Sequence, residues 1–132
     1  TLAQTIPITG ILVVTTPQIA AQSVAQRAAF MAEKVDLEVK GVIENMSWFT
    51  GDDGQRYELF GEGGGSALAE KLGVPLLGQI PLVQTLRAGS DSGNPVAADT
   101  STEIGSIFAE IARVVEEDIK PSKRRHRELK IN

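Results

Sequence analysis

Residues that could contact a ligand follow three apolar segments of the sequence. Asn45 is the first candidate, because a carboxamide carries an acceptor and a donor side by side and can pair with N7 and N6 of adenine. Ile80, Pro81 and Leu82 could offer backbone groups and an apolar edge to a planar base. The spacing leaves open that Asn45 only caps a turn and that Pro81 only ends a strand. The three corners read Thr15-Thr16-Pro17-Gln18, Glu44-Asn45-Met46-Ser47 and Ile80-Pro81-Leu82.

A glycine-rich run, Gly61-Glu62-Gly63-Gly64-Gly65-Ser66, is the second candidate for ligand chemistry. Consecutive backbone N–H groups at the start of a helix can bind a phosphate. A Walker A loop, however, requires Gly-Lys-Ser/Thr, and this run contains no lysine. Glu62 would also repel a phosphate. The run therefore predicts a flexible turn, with Ser66 near the N-cap of a short helix.

Composition excludes thiolate and zinc chemistry from this chain alone. The 132 residues include no Cys and one His, so they cannot form a disulfide, an all-protein zinc site, a cysteine nucleophile or a thiolate-held cluster. Glu44, Asp52 and Asp53 could be combined into a metal site. The two aspartates fall at the tip of a predicted hairpin, which favours solvated turn residues instead. We predict no metal site.

Charge is divided unevenly along the chain. The net charge is −4, with sixteen Asp and Glu against seven Lys and Arg in residues 1–119, but one against six in residues 120–132. The acidic body argues against a broad nucleic-acid surface, and the basic tail is the only candidate for contact with a polyanion. We find no membrane-span or signal pattern. Because the chain starts without Met and a strand pattern follows almost at once, we expect it to be a fragment.

The elements that must position these residues alternate between strand and helix. Residues 10–16 form a continuous β-branched run closed by Pro17, which is typical of a strand buried on both faces. Residues 39–44 form a second strand, so the two predict a parallel pair joined by a helix. The apolar residues with helical spacing between them are Val24, Ala28, Met31 and Val35.

The second half of the chain continues the alternation. Residues 48–60 hold four of the six aromatic residues around Asp53-Gly54, a dipeptide typical of hairpin turns. A short helix through Leu72, a strand over residues 75–80 and a helix near residues 84–88 follow. Thr100 and Glu103 have capping-box spacing and begin a last helix that ends before Pro121. Its apolar stripe comprises Ile104, Ile107, Phe108, Ile111 and Val115.

These elements predict an α/β fold. It is a doubly wound, mostly parallel sheet with flanking helices and a small β-hairpin insertion at about residues 48–60. Such sheets bind ligands at the carboxyl ends of their strands, where the three corners would meet. The hairpin holds too many aromatic residues to face only water, so they form either a small local core or a surface for a partner. These residues are Trp48, Phe49, Tyr57 and Phe60.

Five motifs resemble a known family. They resemble the C-terminal half of the Mrp/ApbC iron-sulfur cluster carrier ATPases, in the MinD/ParA branch of the deviant-Walker P-loop NTPases. The resemblance covers about residues 1–118, and the half with the lysine-bearing Walker A loop would lie before Thr1. In chain order the motifs are Val13-Val14-Thr15-Thr16-Pro17-Gln18, Gly41-Val42-Ile43-Glu44-Asn45-Met46-Ser47, Phe60-Gly61-Glu62-Gly63-Gly64-Gly65, Gly73-Val74-Pro75-Leu76-Leu77-Gly78-Gln79-Ile80-Pro81-Leu82 and Gly89-Ser90-Asp91-Ser92-Gly93.

The resemblance implies part of a cytoplasmic ATPase that binds ATP with Mg²⁺, forms a homodimer and carries an iron-sulfur cluster to client proteins. Asn45 matches the asparagine that contacts adenine, and Ile80, Pro81 and Leu82 match the loop that lines the base. The chain would supply the adenine pocket and part of the dimer interface, but no catalytic residue. Residues 1–118 would be the C-terminal part of the ATPase domain, and residues 119–132 a basic tail that we expect to be disordered.

Two features depart from the family pattern. Val83 stands where an acidic residue commonly follows Ile-Pro-Leu. Gly51 and Gly54 occupy the positions of the family's Cys-x-x-Cys, so two cysteines from each protomer cannot bridge a cluster here. Carboxylates are poor substitutes for thiolates toward soft iron-sulfur centres. Either the cluster ligands lie upstream of Thr1, or this member keeps the ATPase and has lost or altered its cargo site.

Two other functions stay open on the sequence alone. A MinD/ParA-like positioning or partition ATPase shares the motif order. The motifs favour the carrier interpretation over this one, but the missing cysteines make the preference smaller. A non-catalytic interaction module would use the aromatic hairpin to bind a partner and the basic tail to contact nucleic acid or an acidic protein.

Overall fold

The computed structural model describes residues 8–119, and it contains a three-stranded parallel sheet, a two-stranded hairpin and helices on both faces of the sheet. The basic segment from residue 120 onward lies outside the described residues. No helix in the described part is both long and apolar enough to cross a membrane. In chain order the elements are β1 (Ile11–Thr15), α1 (Ile19–Glu33), β2 (Val39–Asn45), β3 (Phe49–Thr50), β4 (Arg56–Tyr57), α2 (Gly64–Leu72), β5 (Leu76–Ile80), α3 (Gln84–Asp91), a 3₁₀ turn (Val96–Ala98) and α4 (Glu103–Asp118).

The sheet has the order β1-β2-β5, with all neighbours parallel. Thr15 lies opposite Glu44, and Asn45 lies opposite Ile80. The carboxyl ends of the three strands therefore meet at one edge. This confirms the predicted doubly wound α/β fold.

Each face of the sheet has its own hydrophobic cluster. On one face α1 and α2 pack on β1 and β2 through residues such as Ala29, Val42 and Leu68. On the other face α4 packs on β5, with Ile111 against Leu77 and Ile80. Strands covered by helices on both sides carry consecutive apolar residues, which explains the run Gly41-Val42-Ile43 in the middle of β2.

The buried stripe of α1 differs from the prediction. The buried residues are Ala25, Ala29 and Ala32, whereas Val24 and Met31 from the predicted stripe are exposed. Alanine lets the helix axis approach the sheet closely, and the larger side chains then fall on the outer side. The helix was predicted correctly and its packed face was wrong.

Strand β1 is buried on one face only, so the expectation of burial on both faces was wrong for this chain. Val13 and Thr15 are buried, but Leu12 is 37% exposed and Val14 is 59% exposed. The reason is that β1 is an edge strand, and α4 packs mainly on β5 at the opposite edge of the sheet.

Helix α4 has the predicted apolar stripe and ends at Asp118, before Pro121. Its N-cap differs from the prediction. Thr102, not Thr100, caps the helix, and its Oγ1 accepts a hydrogen bond from the Gly105 N–H at 3.0 Å. The cap therefore lies two residues later than the capping-box spacing indicated.

The hairpin predicted over residues 48–60 is present, with Phe49 opposite Tyr57 and Thr50 opposite Arg56. The Arg56 guanidinium lies 4.2 Å from the centre of the Trp48 ring. Arg56 also pairs with Glu103 at 3.5 Å. The cation–π contact therefore lies within the hairpin segment, and an exposed ion pair connects this segment to the start of α4.

Candidate functional site

The three predicted corners lie at the carboxyl edge of the sheet, and backbone hydrogen bonds extend the β2–β5 pairing beyond the strands. The Ser47 N–H donates to the Ile80 carbonyl at 3.0 Å, and the Leu82 N–H donates to the Trp48 carbonyl at 2.7 Å. The segments after Asn45 and after Ile80 are thus held side by side. This arrangement gives candidate binding residues a rigid support.

Asn45 is partly exposed at the end of β2. Its Oδ1 accepts a hydrogen bond from the Met46 N–H at 2.9 Å, and Met46 has a left-handed φ of 57°. The side chain therefore caps a turn, which was one of the two roles that the sequence left open for Asn45. A carbonyl oxygen has a second lone pair, and the Asn45 Nδ2 donates to no described residue. Turn capping thus leaves the amide able to contact a ligand.

The four predicted binding residues meet at one edge but do not line one groove. Asn45 lines a groove of about 510 Å³ beside β1, together with Thr15 and Thr16. Leu82 lines a second groove of about 470 Å³ under the hairpin. Ile80 and Pro81 are buried, so they support the edge from beneath.

The groove under the hairpin includes residues that sequence reasoning missed. Leu59 comes from the hairpin segment, and Arg87 comes from α3. No motif marked them, because they approach Leu82 only when the hairpin folds over the β5–α3 connection. Phe49, one of the aromatic residues that the sequence did single out, lines the same groove. The sequence indicated Phe49 and Tyr57 only as members of a segment rich in aromatic residues, and not as an exposed pair.

Two polar atoms near this edge are buried without a hydrogen-bond partner among the described residues. They are the Thr16 Oγ1 and the Trp48 Nε1. Thr16 lies in the same groove as Asn45. Because an unpaired buried hydroxyl is unfavourable, this end of the groove has donors and acceptors to offer a ligand or another segment.

In the glycine-rich run, Gly61, Glu62 and Gly63 form an exposed turn, whereas Gly64 and Gly65 are buried in a close-packed corner. Helix α2 begins at Gly64, its N-cap is Gly63 with a φ of 74°, and Ser66 lies inside the helix. The expectation that Ser66 lies near the N-cap was therefore wrong by three residues. A Cβ atom at Gly65 would lie 2.6 Å from the Glu44 Cβ, and one at Gly64 would overlap the Pro17 carbonyl oxygen. Only glycine fits at this approach.

The Glu44 carboxylate occupies the N-terminus of α2. Its side chain is buried, with 1% of the residue exposed, and its Oε2 accepts from the Gly65 N–H at 2.5 Å. Its Oε1 accepts from the Gln79 Nε2 at 2.8 Å. The anion that this helix end favours is thus supplied by the protein itself. The Gly65 N–H is therefore engaged and does not serve a phosphate.

The hairpin turn is built around Asp53. Its carboxylate accepts hydrogen bonds from the Gln55 N–H at 3.0 Å and from the Tyr57 Oη at 2.5 Å. The Tyr57 bond and then the Gln55 bond hold the pKa of the Asp53 carboxyl below its usual value, and the same Tyr57 bond raises the pKa of the phenol. Asp52 and Asp53 are exposed, as predicted for turn residues.

The two glycines of the turn differ in what the geometry asks of them, because only Gly54 has a left-handed backbone and Gly51 lies beside two exposed side chains. Gly54 has a φ of 75°, a conformation that L side chains rarely adopt. A Cβ atom at Gly51 would lie 2.7 Å from the Asp53 Oδ1 and 2.8 Å from the Tyr57 ring. Across residues 8–119, no three His, Cys, Asp or Glu side chains lie close enough together to hold a metal ion.

The four aromatic residues of the hairpin segment do not share one environment, since two are partly buried and two are exposed. Trp48 and Phe60 are partly buried, whereas Phe49 is 37% exposed and Tyr57 is 42% exposed. Phe49 and Tyr57 lie directly opposite each other in the hairpin and form one exposed pair. This pair is accessible to a partner.

A family model described as "ParA: NUBPL iron-transfer P-loop NTPase" matches residues 1–116 of this chain. The "Iron-sulfur cluster carrier protein" of Mycobacterium leprae is 48% identical over 118 residues, which are 84% of this chain and 31% of the relative. The protein of the same name from Escherichia coli is 44% identical over 114 residues, or 85% of this chain and 31% of the relative. The chain thus spans about a third of the length of these curated relatives.

Solved structures show the same type of fold. A nucleotide-binding protein from Archaeoglobus fulgidus, solved in complex with ADP, aligns with a TM-score of 0.57 and 38% identity over 65% of this chain and 36% of its own. The septum site-determining protein MinD of Pyrococcus horikoshii, complexed with Mg-ADP, aligns with a TM-score of 0.67 and 21% identity over 83% of this chain and 42% of its own. At that identity the second likeness concerns the fold alone.

Proposed function

The chain belongs to the ParA family, in the group of NUBPL-type iron-transfer P-loop NTPases, and we propose that it supplies the base-binding side of an ATP site in such a protein. The observation that carries the proposal is Asn45 at the carboxyl edge of the parallel sheet. Its Nδ2 donates to no described residue, and it lies in the same groove as the unpaired Thr16 hydroxyl. The relative from Archaeoglobus fulgidus, which was solved with ADP, supports a nucleotide as the ligand.

In this proposal each residue has a limited task. Asn45 hydrogen-bonds the edge of adenine, since its amide can donate to and accept from N7 and N6. Ile80 and Pro81 form the buried support beneath the site, and Leu82, which lines the neighbouring groove, continues this edge beside the ring. None of them touches the reacting phosphate. The chain thus orients the nucleotide and performs no chemical step.

Hydrolysis itself would depend on groups outside this chain. Phosphoryl transfer needs a lysine-bearing phosphate loop and Mg²⁺ to stabilise charge, and the sequence contains no Gly-Lys-Ser/Thr. The described residues also offer no cluster of three metal-binding side chains. We therefore propose that the complete protein is the ATPase and that these 132 residues alone are inactive.

The hairpin does not fit a thiolate-held cluster. Gly51 and Gly54 stand at the family's cysteine positions, Gly54 has a left-handed backbone that favours glycine, and the chain has no Cys. If the complete protein carries a cluster to clients, its ligands come from another part of the protein. Anaerobic reconstitution followed by an iron count and a visible spectrum distinguishes a protein whose cluster ligands lie elsewhere from one that has lost its cluster. A protein without bound iron keeps only the ATPase function.

The family also supports two proposals about the complete protein. We propose that it works in the cytoplasm and as a homodimer, with part of the dimer interface supplied by this chain. A MinD-like positioning ATPase is the neighbouring alternative within the same fold. Clients of an iron-transfer protein would be its partners.

Titration of ATP by calorimetry tests the nucleotide site. We expect the complete protein to bind ATP and the 132-residue chain to bind at least about 100-fold more weakly, because most phosphate contacts are absent. Asn45→Ala in the complete protein should weaken ATP binding by about tenfold, as expected for one or two lost hydrogen bonds. Equally tight binding by the chain alone would overturn the assignment of the phosphate site to another part of the protein.

A second candidate, a non-catalytic interaction module, is favoured by the exposed Phe49–Tyr57 pair. Its test is retention of partners at low salt by the complete protein and by two variants, Trp48→Ala and a truncation of residues 120–132. Loss of retention in either variant supports the module. Unchanged retention in both contradicts it.

A further inference from the structure

Glu44 is a buried carboxylate that immediately precedes the candidate base-binding residue Asn45. It is 1% exposed and forms no ion pair within residues 8–119. Burial of a carboxylate is unfavourable unless its oxygens accept hydrogen bonds. The bonds from Gly65 and Gln79 are therefore the interactions that hold this side chain in place.

The two bonds connect β2 to different elements. Gly65 belongs to the first turn of α2, and Gln79 belongs to β5. The backbone carbonyl of Glu44 also accepts from the Ser47 Oγ at 3.0 Å, across the turn that contains Asn45. One residue thus ties the end of β2 to a helix, to a strand and to the turn that follows.

The direction of the Asn45 amide depends on this backbone. Its only described side-chain bond is to the N–H of the next residue, Met46, so no described bond anchors it to another element. Met46 holds a left-handed conformation that the surrounding structure must enforce. If the Glu44 anchor were lost, the Asn45–Met46 turn could relax and the amide would turn with it.

We propose that Glu44 is a positioning residue for base recognition. Its carboxylate, held by Gly65 and Gln79, fixes the end of β2 so that the Asn45 amide is presented to the base, and Glu44 itself does not contact the nucleotide. This inference rests on the proposed nucleotide site. It adds a residue whose role is the choice of base rather than the strength of phosphate binding.

The test is the ratio of ATP affinity to GTP affinity, measured by calorimetry on the complete protein. We expect Glu44→Ala to lower this ratio by about three- to tenfold, the change expected when one hydrogen bond to the base is lost. Glu44→Gln should restore most of the ratio, because a carboxamide can still accept from Gly65 and pair with a reoriented Gln79 amide.

Two further variants separate positioning from loss of stability. Leu37→Ala removes a buried side chain just before β2, at the end of the strand opposite Asn45, and should lower the melting temperature without changing the ratio. Gln79→Leu removes one of the two Glu44 bonds at a largely exposed position. Gln79→Leu should lower the ratio by about two- to threefold. This variant replaces Glu44→Ala as the test if Glu44→Ala does not fold.

The outcomes are distinguishable. If the wild-type protein prefers ATP and Glu44→Ala changes the ratio no more than Leu37→Ala does, the positioning role is wrong. When Glu44→Ala cannot be purified, an unchanged ratio in Gln79→Leu rules out the positioning role in the same way. A wild-type protein that binds neither nucleotide overturns the proposed nucleotide site and this inference together.

Discussion

Gly65 has no room for a side chain, because Glu44 fills the space beside it. A methyl group there would lie 2.6 Å from the Glu44 Cβ and 2.9 Å from its Oε2. We expect Gly65→Ala to destabilise the protein by about 1–3 kcal/mol through overpacking. Urea unfolding followed by circular dichroism measures the change.

The next residue on α2 provides the matched control. Ser66 is exposed, so Ser66→Ala should change stability by less than about 0.5 kcal/mol. Equal stabilities of the two variants would contradict the close packing of Glu44 against α2. The pair also tests the corrected start of the helix, since a Ser66 N-cap would make its substitution the more damaging one.

The Asp53–Tyr57 hydrogen bond should be visible in a pH titration. Tyr57→Phe removes the donor that lowers the pKa of Asp53 most, so the Asp53 pKa should rise toward that of an ordinary aspartate. Because the folded-state pKa is lowered, the bond contributes fully above the unfolded pKa of about 3.9 and is lost as the pH falls through the lowered value. Carbon NMR of the Asp53 carboxyl group measures its pKa in the wild type and in Tyr57→Phe.

Phe49 supplies the comparison for this titration. It lies directly opposite Tyr57, but its side chain has no donor for Asp53, so Phe49→Leu should leave the Asp53 pKa where it is. The cause given for the lowered pKa is wrong if Asp53 titrates identically in Tyr57→Phe and in the wild type.

Helix α4 depends on Thr102 for its start. The Thr102 Oγ1 accepts from the Gly105 N–H and donates to the Asp99 carbonyl at 2.8 Å. Thr102→Ala should therefore lower the free energy of unfolding by about 1 kcal/mol. Thr100→Ala should have an effect below about 0.5 kcal/mol. A larger effect at Thr100, measured by denaturant unfolding, would restore the capping-box assignment.

The strands and helices could be predicted because each is encoded locally. Apolar runs along the strands, Asp53-Gly54 and the stripe of α4 are short-range patterns. The packed face of α1 could not be predicted, because alanine and valine both suit an apolar stripe and the choice depends on how closely the helix approaches the sheet. The capping residue of α4 could not be predicted either, because both Thr100 and Thr102 precede the helix.

The candidate site was predictable only in part, for a similar reason. Asn45 and Ile80 follow apolar strands, and parallel topology alone brings such residues to one edge. Glu44 gave no comparable signal, because its partners Gly65 and Gln79 are 21 and 35 residues away in sequence. Arg87 and Leu59 required the fold of the hairpin over the β5–α3 connection.

The molecule presents an apolar flank formed by β1 and α1. Val14, Val24 and Met31 are each more than half exposed, and β1 pairs only with β2 among the described strands. Monomeric proteins rarely expose a large continuous apolar surface. As the relatives are about three times as long as the matched segment, we predict that another part of the complete protein covers the apolar part of this flank. The flank is continuous with the groove of Asn45 and Thr16, so the covering part must leave that end of the groove open to the nucleotide.

Met31→Lys tests that prediction. In the 132-residue chain the substitution should change stability by less than about 0.5 kcal/mol, because the side chain is in water. In the complete protein it should destabilise by about 2 kcal/mol or more, since a lysine would be buried without a partner. Thermal unfolding of both forms gives the comparison, and an equally small effect in both would mean that the flank stays uncovered.

The glycine turn of the hairpin has an evolutionary consequence. A glycine codon can become a cysteine codon by one base change, so a pair of thiols at Gly51 and Gly54 is genetically near. The two steps differ, however. A side chain at Gly51 would require the exposed Asp53 and Tyr57 side chains to move, whereas a side chain at Gly54 would stand on a left-handed backbone and lower stability. A lineage with this turn would therefore reach a cysteine-bearing hairpin more easily by changing Gly51 before Gly54.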